Sequence, residues 1–180
     1  MATLRVPVDD TDHAQGPADA PVTLVEYGDY ECPHCGAAYP VVQQLQRRFG
    51  DDLRFVFRNF PLGELHPNAV SAAMAAEFGA AHDRFWEFHD ALFENQEQLG
   101  LALYAAIATE AGLDAARLRA ALEAAEYLEA VRADFNGGVR SGVNGTPTFF
   151  MNGARYESVP DVESMAEALD RAIRAKRKLK

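Results

Sequence analysis

Both cysteines of the chain lie in one tetrapeptide, Cys32-Pro33-His34-Cys35. Two thiols at this spacing suit reversible disulfide chemistry, in which one attacks a foreign sulfur and the other resolves the mixed disulfide. The attacking species is a thiolate, and the expected setting favours it. The first turn of a helix presents unpaired backbone N–H groups and the positive end of the helix dipole, so Cys32 is expected to ionise below the ordinary cysteine range. Residues three apart in a regular helix hold their Cβ atoms about 5–6 Å from each other, whereas a disulfide wants about 3.8 Å. An irregular first turn is therefore expected, closing a bond that opens readily. Cys32, nearer the N–H groups, is expected to be the exposed attacking thiol and Cys35 the buried resolving one.

The elements that position the pair are legible on either side. An apolar run at 22–27, with Glu26 inside it, reads as a strand, and Gly28-Asp29-Tyr30-Glu31 as the turn after it. The helix that follows, 32–49, has its apolar stripe at Ala38, Val41, Val42, Leu45 and Phe49. Gly50-Asp51-Asp52 turns the chain into a second strand at 53–60. Such a βαβ unit predicts parallel strands with a right-handed crossover. From Pro61 to about Arg140 the periodicity is helical throughout, with Gly137-Gly138 interrupting the last stripe at about 1 kcal/mol each relative to Ala. Strand character returns at 148–151. Asn152-Gly153 then predicts a type I′ hairpin to 154–156. Ser158-Val159-Pro160-Asp161 reads as a capping box with Pro in the first turn of a final helix. The expected division is an N-terminal extension at 1–20, one domain from 21–61 and 141–180, and an inserted all-helical domain at 62–140.

Composition narrows the classes. At 180 residues, 48% apolar and 24% charged, the chain can bury a full core as one domain with an insertion. A net charge of -10 argues against nucleic acid and anionic membranes as partners. The basic run Arg174, Lys176, Arg177, Lys178, Lys180 reads as the solvated end of the last helix. No stretch reaches the length of a membrane span. The first residues lack an apolar segment and a small-residue cleavage site, so a cytoplasmic protein is expected, or a periplasmic one if the chain is a processed form. There, a CxxC pair points to catalysis or sensing rather than to a structural staple. Half of a zinc site is the bland alternative, but zinc wants about four ligands and no second cysteine pair exists.

Strand, Cys-Pro-His-Cys, helix, a helical block, then Gly145-Thr146-Pro147-Thr148-Phe149-Phe150 together resemble the thioredoxin superfamily, and within it the DsbA-like disulfide oxidoreductases. The stretch Phe85-Trp86-Glu87-Phe88-His89-Asp90-Ala91-Leu92-Phe93 is similar to one common in that group. The resemblance covers about residues 20–175. It implies an α/β thioredoxin fold (βαβ…ββα) with an all-helical domain inserted between the halves. It also implies that Pro147 is cis and that Thr146 presents its backbone to an extended substrate peptide. Pro33 and His34 are then the residues that tune the redox potential. His34 adds to the stabilisation of the Cys32 thiolate, which favours the dithiol and makes the disulfide a stronger oxidant. Glu31, beside Cys32, acts the other way if its charge is close. Glu26 takes the position of the buried acid that carries a proton to or from Cys35, the alternative being a strand-end acid that reaches solvent.

The activity so implied is thiol-disulfide exchange with protein or peptide thiols and disulfides, with glutathione as a further candidate partner. No bound cofactor is required, since the cysteines carry the electrons. Two alternatives stand beside it. One is a redox-sensing or docking module whose disulfide state changes partner affinity. The other is a glutathione-dependent isomerase or kappa-type transferase of related architecture, against which the retained Cys35 argues. Trp86, His89 and His66 read as packing residues of the helical block.

Overall fold

The computed structural model describes residues 2–179. Five strands make one sheet in the order β1-β3-β2-β4-β5: β1 His13–Gln15, β2 Val22–Gly28, β3 Leu53–Asn59, β4 Thr148–Met151 and β5 Ala154–Arg155. β2 is the centre of the sheet and is buried along almost its whole length, which is why it reads as a near-continuous apolar run. β4 pairs antiparallel with β2, setting Glu26 opposite Phe149 and Tyr27 opposite Thr148. The hairpin to β5 turns at Asn152 and Gly153, both with positive φ (47° and 84°), as a type I′ turn requires.

The chain clusters into two compact units. The first holds the residues up to Gly28, Ala37–Arg58 and those from Gly137 on. It contains the sheet, most of α1 (Pro33–Phe49) and α7 (Val162–Lys178). The second holds Asp29–Gly36 and Asn59–Asn136. It contains α2 (Ala69–Ala80), α3 (Phe85–Glu94), α4 (Leu101–Glu110), α5 (Ala115–Glu123) and most of α6 (Leu128–Arg140). The cysteine turn thus clusters with the helices, whereas the sequence pattern grouped it with the strands around it.

Three local expectations are corrected. The first 20 residues are not a lead-in alone. β1 pairs antiparallel with β3 on one edge of the sheet, and Thr3 bridges Ala154 on the other. The segment thus adds the edge strand on one side and bridges the last strand on the other. Arg58 fastens this segment from inside: its guanidinium donates to the Asp12 carboxylate at 2.7 and 2.9 Å and to the carbonyls of Val6 and Pro7. It also donates to the Tyr27 hydroxyl at 2.9 Å. These acceptors outweigh the cost of burial and hold Arg58 firmly protonated. Second, Pro61–Asn68 is a loop, and the helical block begins at Ala69. Third, the cap of α7 is Asp161, not Ser158, and Pro160 lies before it. The Asp161 carboxylate takes both the N–H and the hydroxyl of Ser164, at 2.9 and 2.8 Å, which fixes the helix start three residues later than expected.

α6 runs unbroken through Gly137-Gly138. A Cβ on Gly137 would sit 3.2 Å from Val6 Cγ2 and 3.6 Å from the Tyr27 hydroxyl, so the glycine serves close packing rather than a break. At the other end of the chain, Arg177 forks onto Asp52 at 2.8 and 2.9 Å, so the basic run is not wholly solvated. Its last member, Lys180, lies outside the described residues, as does Met1.

Replacing Arg58 by Met should destabilise the chain by about 3 kcal/mol or more, because Asp12 is left buried without its cation. Urea unfolding measures it. A loss below about 1 kcal/mol would show that the extension holds without the pair.

Candidate active site

β2 ends at Gly28, where a Cβ would stand 2.5 Å from the Phe57 ring, so only glycine lets the strand run on at this depth. α1 then begins at Pro33. Cys32 is therefore the residue before the helix rather than its first member, and its carbonyl accepts the Gly36 N–H at 3.0 Å. Pro33 takes the first helical position, where a missing N–H costs nothing. Cys35 sits one turn in. Pro33 and His34 are exposed. Cys32 is 4% exposed and Cys35 0%, so both thiols are buried and the expected exposure of Cys32 is not found.

Asp29 ties the turn together. Its N–H donates to the Cys35 sulfur at 3.4 Å, and its carbonyl accepts the Cys32 N–H at 3.2 Å. Its carboxylate is 0% exposed. One oxygen accepts the Glu31 N–H at 2.8 Å; the other accepts the Leu62 N–H at 2.9 Å and lies 2.7 Å from His66 Nδ1. That hydrogen bond raises the His66 pKa, against the effect of burial, and the negative charges of Asp29, Cys32 and Glu31 add to the rise. His66 is thus a partner of the cysteine turn, not only a packing residue.

Two further side chains fix the turn. Glu31 points its carboxylate away along the chain to Asn68, accepting the backbone N–H at 2.6 Å and the side-chain amide at 3.0 Å. This supplies an acceptor at the start of α2, whose own Asn68 side chain makes no cap. Gln96 reaches in from the short turn after α3 and donates to the carbonyls of Tyr30 and Cys32 at 2.9 and 2.8 Å. Gly36 leaves room for it: a Cβ there would meet Gln96 Oε1 at 2.3 Å. Tyr30 is buried, sharing a 3.0 Å hydrogen bond with His89 Nδ1 and packing on Phe93. Asp29, His66, Gln96 and Asn68 were not among the candidates from sequence. The only local signal was an acid and a glycine on either side of the cysteines.

Glu26, Thr146 and Pro147 belong to the first unit. Glu26 is 2% exposed on β2 and does not reach solvent. The Thr146–Pro147 bond is cis, and both residues are half-buried. Thr148 Oγ1 donates to the Gly145 carbonyl at 2.7 Å and closes the loop. Since Thr148 pairs with Tyr27, this loop and Glu26 share one end of the sheet. Among the described residues, no group of three or more His, Cys, Asp or Glu is placed to hold a metal ion.

A family model described as thioredoxin matches residues 8–171. The chain belongs to the thioredoxin family. Among solved structures it is similar to oxidised BdbD from Bacillus subtilis, with a TM-score of 0.87 and 27% identity over 96% of this chain and 98% of that one. A thioredoxin-like oxidoreductase from Silicibacter pomeroyi gives 0.80 and 30%, over 92% and 94% of the two chains. The fold of alpha-DsbA1 from Wolbachia pipientis is also shared, at 0.83 and 20% identity over 98% of both chains. Within the thioredoxin family the chain therefore has a fold that it shares with a DsbA structure. Among curated proteins it is similar to a Na(+)/H(+) antiporter NhaA 1 from Salinispora arenicola, 43% identical over 171 residues. That match covers 94% of this chain but 26% of the antiporter, so the chain spans about a quarter of the length of the curated relatives it matches. No helix among the described residues is long and apolar enough to cross a membrane.

Gly36→Ala should displace Gln96 and lose its two hydrogen bonds, costing about 1–3 kcal/mol. In a Gln96→Ala background the same substitution should be neutral or stabilising by up to about 1 kcal/mol, from helix propensity. Additive losses in the double-mutant cycle would rule out the clamp. A second expectation concerns pH. A histidine whose pKa is raised on folding stabilises the fold below its unfolded value, and that contribution is lost as the pH climbs through the folded value. Stability should therefore decline as pH rises from about 6.5, and His66→Gln should remove that component. Denaturant midpoints across the range report it.

Proposed function

We propose that this thioredoxin-family chain is a thiol-disulfide oxidoreductase acting on protein or peptide thiols. The observation that carries the reading is the placement of the pair. Cys32 stands directly before α1, with Pro33 as the first helical residue and Cys35 one turn further, its sulfur accepting a backbone N–H. The unpaired amides of the first turn and the helix dipole favour the Cys32 thiolate, and exposed His34 adds a donor or a positive charge beside it.

In the oxidising direction a substrate thiolate attacks Cys32 of the disulfide. The S–S bond breaks, a mixed disulfide forms at Cys32, and Cys35 leaves as a thiolate that takes up a proton. A second substrate thiolate attacks the substrate sulfur of the mixed disulfide and expels Cys32. The substrate ends as a disulfide and the enzyme as a dithiol, with two electrons moved. The reducing direction is the reverse: the Cys32 thiolate attacks a substrate disulfide, and Cys35, losing a proton to Glu26, resolves the intermediate. Glu26 suits this role because it is a carboxyl group buried where bulk water does not reach. Thr146 and Pro147 offer backbone to an extended substrate segment, as in strand addition. Glutathione is the small-thiol counterpart of such a substrate. A cytoplasmic setting belongs to the same reading, and there the pair is held reduced between encounters.

A second reading is favoured by one observation, the match to about a quarter of proteins named as antiporters. On that reading the domain senses redox state and passes it to a partner.

Equilibration against glutathione buffers should give a two-electron potential between about -270 and -120 mV, the span of CxxC enzymes. Failure of Cys32 and Cys35 to form a disulfide anywhere in that range would refute the oxidoreductase reading. A Cys35→Ser variant should accumulate mixed disulfides with thiol-bearing proteins through Cys32. Rapid disulfide formation in the wild type with no trapped substrate would favour the sensor.

A further inference from the structure

We propose that Asp29, locked in place by His66, is the positioning residue for both cysteines. Its main chain touches each of them: the N–H reaches the Cys35 sulfur and the carbonyl holds the Cys32 N–H. A residue in that position sets the sulfur geometry only if its own backbone cannot rotate. The side chain supplies the restraint, because its buried carboxylate is held by the Glu31 and Leu62 N–H groups and by His66. His66 closes the clamp from the loop 61–68 and, when protonated, also brings a cation. Without that cation, the Asp29 charge would lie beside the sulfurs unopposed and disfavour a thiolate there. The charged and titratable groups acting on His66 are Asp29, Cys32 and Glu31, all from the cysteine turn, and each favours its protonated form. By linkage, protonated His66 favours the Cys32 thiolate in return. The pair thus adjusts the redox balance from outside the Cys-Pro-His-Cys tetrapeptide.

This inference rests on the oxidoreductase reading for its role, but its test is separable from it. Reduction potential against glutathione and the ultraviolet thiolate absorbance as a function of pH are measured on the full chain and on His66→Gln, His66→Leu and Asp29→Asn. His66→Leu removes donor and charge together. It should shift the glutathione equilibrium toward the enzyme disulfide by about threefold or more, the scale of one screened charge, and move the Cys32 titration upward. His66→Gln, which keeps a donor, should fall between it and the wild type. Asp29→Asn removes the negative charge but sets an amide N–H against at least one of the three donors, so it should change both readouts by releasing the turn rather than by the loss of a cation. If it does not fold, the His66 variants decide, since His66 is half-buried in a loop. Wild-type potential and titration in folded His66→Leu would overturn the proposal. If the wild type forms no disulfide at all, the redox reading fails. The titration then decides alone, an unshifted midpoint overturning the proposal and an upward shift supporting it.

Discussion

The Asp29 carboxylate has been taken out of water, and every hydrogen bond it gave up has to be replaced inside the fold. Two backbone amides and one imidazole do so. An ionised group in such a place costs several kcal/mol unless its donors are fixed, so the requirement spreads outward. It holds the loop at Leu62 and His66 against the turn and sets the backbone of Asp29 itself. Through that backbone it settles where the two cysteines stand. Glu31 and Gln96 extend the same logic by one shell. One carboxylate reaches the start of α2, and one amide bridges the carbonyls of Tyr30 and Cys32. The cysteine turn is therefore held by polar contacts to Leu62, His66, Asn68 and Gln96, while Pro33 and His34 are exposed.

The sheet unit solves a comparable problem with Arg58. A guanidinium buried beside the central strand needs acceptors in a planar fork, and it finds them in Asp12, Val6, Pro7 and Tyr27. Residues that composition alone would leave as a polar tail become part of the sheet's edge because a cation in the core requires their carbonyls.

What could be read from the sequence was what depends on neighbours in the chain. The cysteine pair before a helix, the apolar strand with its acid, and the Asn152-Gly153 hairpin announce themselves within a few residues, through dipole, periodicity and positive φ. Asp29, His66 and Gln96 gave no such signal. Their partners lie 37 and 64 positions away, and neither a histidine before a proline nor a glutamine after a helix marks a site by itself. The same limit explains Arg58, whose anion is 46 positions distant. The misplaced cap at Ser158 is a different failure: two good capping residues stood three apart, and the one able to bind Ser164 twice prevailed. Gly137-Gly138 misled because a glycine chosen for a close approach to Val6 looks, in sequence, like one chosen to end a helix.

The chain leaves the sheet unit at Gly28, returns at Ala37, leaves again at Arg58 and returns at Gly137. The helical block is thus not a detachable accessory to a minimal redox fold. Excising 59–136 and joining the sheet halves would keep both cysteines, the strand that feeds them and the proline loop. It would strip Asp29 of Leu62 and His66, and remove Gln96 from the carbonyls it holds. Trimming this protein to a smaller scaffold, by evolution or by an engineer, would therefore have to reinvent the turn, not merely shorten the loops around it.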